Sequence, residues 1–203
     1  MARPSPEATI PVTMAREKKG TGVVNETDAA ATHQTATGPA ASSRRAAWAA
    51  YSACVWALLF AAPSFYWAAG GTAGMGTLGP GVVALARDPW FVVLVWATGV
   101  AKVLAGLLAL ALARPWGRRI PRWVLLVGAW GGGALLVFHG GDFVIQGALA
   151  LGGVVDVPAS APWATIRWYT FLWGPWFLIG GILFCAAAWH HQRTSQRRRA
   201  RPG

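Results

Sequence analysis

Residues Trp90 to Arg122 read WFVVLVWATGVAKVLAGLLALALA followed by RPWGRRIPR: twenty-four residues carrying a single charge, Lys102, then a short segment with four arginines. A bilayer's hydrocarbon core is about 30 Å thick, so a helix needs about 20 predominantly apolar residues to cross it. The first part of the stretch meets that length and the second part stops it. Three further apolar runs do the same. Ala46 to Ala69 precedes the quoted stretch; Trp123 to about Leu149 and about Trp168 to Trp189 follow it. The sequence therefore predicts an all-α integral membrane four-helix bundle.

The arginines orient it. Arg44 and Arg45 flank the first run, Arg114, Arg118, Arg119 and Arg122 separate the second from the third, and Arg193, Arg197, Arg198, Arg199 and Arg201 follow the fourth. The other two loops carry only Arg87 and Arg167, offset by Asp88 and Asp156. Cationic loops resist translocation, so both termini are expected in the cytoplasm of a bacterial inner membrane. The formal net charge of +11 sits where anionic lipid headgroups attract it. The run Arg197-Arg198-Arg199 is short and lacks interleaved aromatics, so nucleic acid is not an expected partner.

The thirteen tryptophans extend this picture. Trp67, Trp90, Trp163, Trp168, Trp173 and Trp176 are expected at the outer boundary and Trp48, Trp116, Trp123 and Trp189 at the inner one, because the indole favours the headgroup layer. Trp56, Trp96 and Trp130 fall deep, as packing residues.

Residues 1–45 are rich in Ala, Thr, Pro and Gly with few large apolar side chains, so they are expected to form a disordered tail. Residues 46–192 make the four-helix domain and 193–203 a basic tail. Ser43-Arg44-Arg45 resembles a twin-arginine signal, but the aromatic-rich span behind it, with Trp56, Phe60, Phe65, Tyr66 and Trp67, lacks a polar cleavage region. Cys54 and Cys185 are far apart in sequence, have no C-x-x-C partner and read as ordinary buried thiols.

Gly70 to Gly81, with six glycines and Pro80, belongs to the outer loop, followed by a short helix from Val82 to Arg87. Gly174-Pro175 must either kink the fourth span or start it at Pro175. Pro-Trp-Phe occurs at Pro89 to Phe91 and at Pro175 to Phe177; proline at a helix start and tryptophan at an interface account for it without a duplication.

One constellation lies inside the membrane. In the third span Gly128, Gly132, Leu135, His139, Asp142 and Gln146 alternate steps of four and three, which turns them to one helical face. In the second span Val95, Gly99, Lys102, Gly106, Ala109 and Ala113 do the same. Small residues permit close approach and polar ones avoid lipid, so these two faces are expected to pack on each other. Counting from the hairpin near Arg118, Lys102 lies near mid-membrane, with His139 about 8 Å and Asp142 about 12 Å further out. Side chains lean toward their own N-terminus, which brings Lys102 and the His139/Asp142 pair together. The cluster Lys102, His139, Asp142 and Gln146 reads equally as an ion or headgroup site and as a structural pair fixing register, and Asp142 and Gln146 can instead reach the outer interface. No cofactor or metal is expected: His139 and the pair His190/His191 fall at different depths, which excludes bis-His haem ligation.

The motifs Phe65-Tyr66-Trp67 with Gly70-Gly71, Gly76-Thr77-Leu78-Gly79, Arg114-Pro115-Trp116-Gly117, Val155-Asp156-Val157-Pro158 and LWGPWFLIGG (Leu172 to Gly181) form a set of Gly, Trp and Pro signatures. On them the chain, over roughly 45–192, resembles the actinobacterial membrane proteins catalogued as domain of unknown function 3995. The resemblance implies a four-span architecture and no activity. Where that family's motif places an acidic residue this chain has Gly174, so any role of that carboxylate is absent. Arg-over-Lys and Ala-rich usage agrees with a GC-rich bacterial source.

Lys102, His139 and Asp142 lack an accompanying nucleophile or metal set, so the sequence favours a non-enzymatic protein that binds a small amphiphile or serves as a partner subunit. The alternative is a small proton- or ion-coupled transporter using the Lys/His/Asp cluster, oligomeric because four helices make a thin wall.

Overall fold

A computed structural model describes residues 39–158 and 160–199, which contain helices, turns and loops but no strand. α1 spans Pro39–Ala68, α2 Pro80–Leu85, α3 Pro89–Ala111, α4 Arg122–Leu151, α5 Trp163–Trp168 and α6 Gly174–Arg199. Two 3-10 segments, Met75–Leu78 and Pro115–Arg119, lie in the first and second loops, and a π-helical turn, Tyr169–Trp173, joins α5 to α6. Four stretches, Ala47–Ala68, Pro89–Ala111, Arg122–Leu151 and Trp163–Gln196, are long and apolar enough to cross a membrane. The chain is a multi-pass membrane protein.

The expected disordered tail, residues 1–45, lies mostly outside the described residues; what is described begins earlier than the expected boundary, with α1 starting at Pro39 rather than Ala46. The last helix likewise continues past Trp189 to Arg199. The final residues of the basic tail, 200–203, lie outside the described part.

Local chemistry sets the ends. Asp88 caps α3 by accepting from the amides of Trp90 (2.8 Å) and Phe91 (3.4 Å), with Pro89 at the first helical position where no donor is needed. α1 ends in a Schellman turn: Gly71 N donates to Tyr66 O (2.9 Å), Gly70 N to Trp67 O (3.0 Å), and Gly70 takes φ 96°. The irregularity expected at Gly174-Pro175 is resolved without a break between helices. The wide π turn just before Gly174 accommodates a proline whose amide cannot bond and whose ring would crowd the preceding turn.

Around the bundle, α3 packs on α1, α1 on α6 and α6 on α4, while the consecutive pair α3 and α4 makes the sparsest contact of the four seams. The expected α3 face is correct but its partner is not α4. Gly99 lies against the Phe65 ring of α1 and Gly106 against Ala57 and Cys54 of α1. On α4 the packed stripe is Ala129, Gly133, Gly140 and Gly147, all buried, one residue on from the expected Gly128, Gly132, His139 and Gln146. One residue is about 100° of rotation, which turns the predicted face away from the tightest seam. Glycine is needed at this crossing: a Cβ on Gly140 would come within 2.6 Å of Gly174 O, and one on Gly133 within 3.1 Å of Gly181 O.

The core is aromatic. Trp56, Phe60 and Phe184 are buried, and Trp173, Trp176 and Phe177 pack against them. Phe60 meets Trp56 and Phe177 at centroid distances of 5.2 Å each, and Trp56 Nε1 donates to Trp176 O at 3.1 Å. Trp173 and Trp176, expected at the outer boundary, also pack in this core, because Trp56 and Phe60 of α1 offer them partners. Trp96, expected to pack, is 45% exposed and touches Phe65 at 5.4 Å. Cys54 and Cys185 are unbridged, the first buried and the second half-buried.

Candidate functional site: a cleft between the second and third spans

Where α3 and α4 separate, the bundle holds a cleft of about 240 Å³. Leu108 of α3 meets Gly128 of α4 near the arginine-rich end. Toward the other end, Val95, Thr98 and Lys102 of α3 line one side and His139 and Phe143 of α4 the other. Phe60 and Ser64 of α1 and Tyr169, Trp173 and Phe177 of the last span close its back.

Lys102 supplies the charge. It lies nine residues before the end of α3 at Ala111, about 14 Å inside at 1.5 Å per residue, which is mid-membrane. Its Nζ donates to Ser64 Oγ at 2.7 Å and stands 3.7 Å from the centroid of the Phe60 ring. A hydroxyl acceptor and an aromatic face together stabilise an ammonium that hydrocarbon alone would not. Ser64, 2% exposed, lines the back of the cleft beside the lysine.

The expected partner of Lys102 is displaced. His139 lines the cleft from its rim, its imidazole 4.4 Å from the Phe143 ring and 5.0 Å from Phe177. Asp142 and Gln146 are exposed and do not line it. Among the described residues no carboxylate is paired with Lys102. Two causes act together: the α4 face is rotated by one residue, and α4 is 30 residues long. Counted from Trp123, about 20 residues fill the hydrocarbon layer, so Asp142 falls near the far boundary and Gln146 beyond it. The structure thus brings together Lys102 and His139, and leaves Asp142 and Gln146 apart.

Sequence reasoning missed Ser64, Phe60 and Tyr169. A hydroxyl directly after Pro63 within an apolar run was the available signal for Ser64. The loop between α1 and α3 caps the cleft with Met75, Leu78 and Val82 and is fastened to the last span. Tyr169 Oη donates to Leu78 O at 3.3 Å, and Trp173 Nε1 to Thr77 Oγ1 at 3.2 Å, while that hydroxyl donates to Gly74 O at 2.7 Å. The glycines of this loop are there for backbone reasons at Gly74 and Gly79, with φ 75° and 98°.

Comparison with known families matches residues 57–184, which include every residue of the cleft, to the model described as Protein of unknown function (DUF3995). The chain belongs to that family. No curated protein and no solved structure matches it. Within this member of DUF3995, Gly174 occupies the α4–α6 crossing, with its α-carbon hydrogen facing Val144 and the Gly140 carbonyl. A carboxylate side chain has no room there in this packing.

Proposed function

We propose that this DUF3995 protein is a non-enzymatic component of the bacterial cell membrane, with both termini cytoplasmic, that binds a small amphiphile with an anionic or acceptor headgroup at Lys102. The observation that carries the reading is the cleft itself: one ammonium, Ser64, Thr98 and His139 set among aromatic walls on the seam that α3 and α4 leave loose. Ligand sites are usually about 300–1,000 Å³, so a volume of about 240 Å³ suits the head of an amphiphile whose chain leaves between α3 and α4 into lipid.

The distance from Lys102 Nζ to Ser64 Oγ also fits a base beside a nucleophile. Ser64 lies inside α1, however, whose own ladder takes up the backbone N–H groups that an oxyanion hole would need. Binding is therefore the better reading. A proton- or ion-coupled role rests on Lys102 and His139 alone, since Asp142 does not face the cleft.

The test is native mass spectrometry of the full chain extracted in mild detergent, with Lys102→Met and His139→Ala beside it. A retained small ligand present in the native chain and lost in Lys102→Met supports the reading. Covalent labelling of Ser64 by a fluorophosphonate probe would overturn its non-enzymatic part, and a chain that retains nothing and shows lysine-dependent proton flux in vesicles would favour coupling.

A further inference from the structure

We propose that the arginine-bearing end of the bundle contains a second site, which binds the phosphate of an anionic lipid headgroup. It is independent of the cleft at Lys102, from which it is separated by the length of α3 between Lys102 and Ala111. A cavity of about 620 Å³ lies between the segment Leu112 to Arg122 and the end of α6. Arg114, Arg118, Arg119 and Arg122 line it, and no carboxylate does. The acidic residues among the described part, Asp88, Asp142 and Asp156, belong to the opposite end or its loops. Arg118, Arg119 and Arg122 bring three positive charges to one concavity, while the Arg114 guanidinium lies 5.5 Å from the Tyr51 ring; such charges repel one another unless an anion sits among them, and guanidinium matches phosphate with paired donors.

Arg122 carries an unmet donor of its own. Its Nε is occluded and has no acceptor among the described residues, although buried donors in folded proteins are almost always satisfied. Arg122 also opens α4, whose N-cap, Pro121, makes no side-chain cap, so the first-turn amides and the positive helix end add to the same field. The opposite wall is fixed rather than adaptable. His191 Nδ1 lies 3.0 Å from Leu112 O; since a carbonyl only accepts, Nδ1 carries the hydrogen, and α6 is tied to the end of α3. Thr194 and Ser195 donate to carbonyls of their own helix, at 2.7 Å to His190 O and 2.9 Å to His191 O. Recognition of an anion therefore falls to the arginines.

The depth of the cavity selects the source of the phosphate. Trp116, Trp123 and Trp189 are exposed around the same end, and exposed tryptophans lie at the headgroup layer. A cavity at that level meets lipid phosphates at membrane concentration, and its volume leaves room for the group esterified to one.

The test uses the full chain in detergent, with dioleoyl phosphatidylglycerol, dioleoyl phosphatidylcholine and inorganic phosphate added separately, read by native mass spectrometry and thermal stability. Phosphatidylglycerol should be retained in preference to phosphatidylcholine, and Arg119→Gln with Arg122→Gln should weaken that retention about ten-fold or more. Because Arg122 is part of a packed wall, Arg118→Gln with Arg119→Gln, both exposed, serves as the variant that leaves folding untouched and should lower retention in the same direction. Arg193→Gln, whose guanidinium lies over the Trp189 ring at 4.4 Å and outside the cavity, should leave retention unchanged. Equal retention of the two lipids, or an equal loss in Arg193→Gln, overturns the site. Stabilisation by inorganic phosphate that the cavity variants abolish, without any from phosphatidylglycerol, overturns the lipid assignment in favour of free phosphate.

Discussion

Lys102 Nζ of α3 and Ser64 Oγ of α1 are 2.7 Å apart, and through that contact the one charged residue of the second span is tied to the first span rather than the third. The pair lies beside the α1–α3 seam that Gly99 and Gly106 close. Its neighbour Phe60 is part of the aromatic core, so the same ammonium touches both the cleft and the packing that holds the bundle together.

A double-mutant cycle on this pair should therefore show coupling. Lys102→Met and Ser64→Ala are each expected to lower thermal stability in detergent, with an interaction energy on the order of 1 kcal/mol between them, as for hydrogen bonds to charged groups. The cycle of Lys102→Met with Asp142→Asn should be additive within about 0.5 kcal/mol, since those residues share no partner. Coupling in the second cycle and none in the first would reverse the assignment.

The helix crossing makes a separate prediction. Gly140→Val inserts a side chain where a Cβ already comes within 2.6 Å of Gly174 O, so it should separate α4 from α6 and cost about 1–3 kcal/mol. Gly131→Val and Gly141→Val, where a Cβ would meet nothing within 4 Å, should stay within about 1 kcal/mol of the native chain. Thermal melts of the three variants in one detergent decide it.

This contrast also shows what the sequence could yield. Span number and helical class were legible because length and hydropathy are one-dimensional properties that survive without neighbours. The packed face of α3 was legible too, since Gly99, Gly106 and Ala109 stand in one register with Lys102. The α4 face was misread by one residue: His139, Asp142 and Gln146 drew the eye to their own stripe, while Gly133, Gly140 and Gly147, repeating every seven residues, carried the packing. Polarity marks what must avoid lipid, whereas small size marks where another backbone comes close, and in α4 the two lie on different faces. The partners themselves were not legible. Nothing local in α3 says that it folds back on α1, and the pairing of Lys102 with Ser64 exists only in the assembled bundle.

Orientation is testable independently of packing. The arginine asymmetry predicts that Gly76 and Ser160 face outward, and that the chain ends at Met1 and Gly203 face the cytoplasm. Single cysteines at these four positions, with Cys54 and Cys185 replaced, should label in intact cells with an impermeant thiol reagent only at the two loops. Labelling at either terminus, or protection of both loops, refutes the orientation.

The loop over the cleft should behave as a fastened cap. Trp173 Nε1 donates to Thr77 Oγ1, and the same hydroxyl donates to Gly74 O, so one side chain closes the 3-10 turn and docks it on the last span. Tyr169 adds a second tie at Leu78 O, and its ring packs on Phe143 across the cleft at 4.6 Å. Thr77→Val keeps the shape and removes both hydrogen bonds, which should cost about 1–2 kcal/mol in total and loosen the loop more than the helices. Hydrogen exchange read by mass spectrometry should then rise in peptides covering 72–86, with little change in those covering 95–110. Tyr169→Phe, which removes the outer tie but keeps the ring against Phe143, should raise the same peptides by less. A uniform rise across the bundle in Thr77→Val would mean that the loop is a structural part of the core and not a separable cap. No rise at all would mean that backbone geometry at Gly74 and Gly79 holds it without these two side chains.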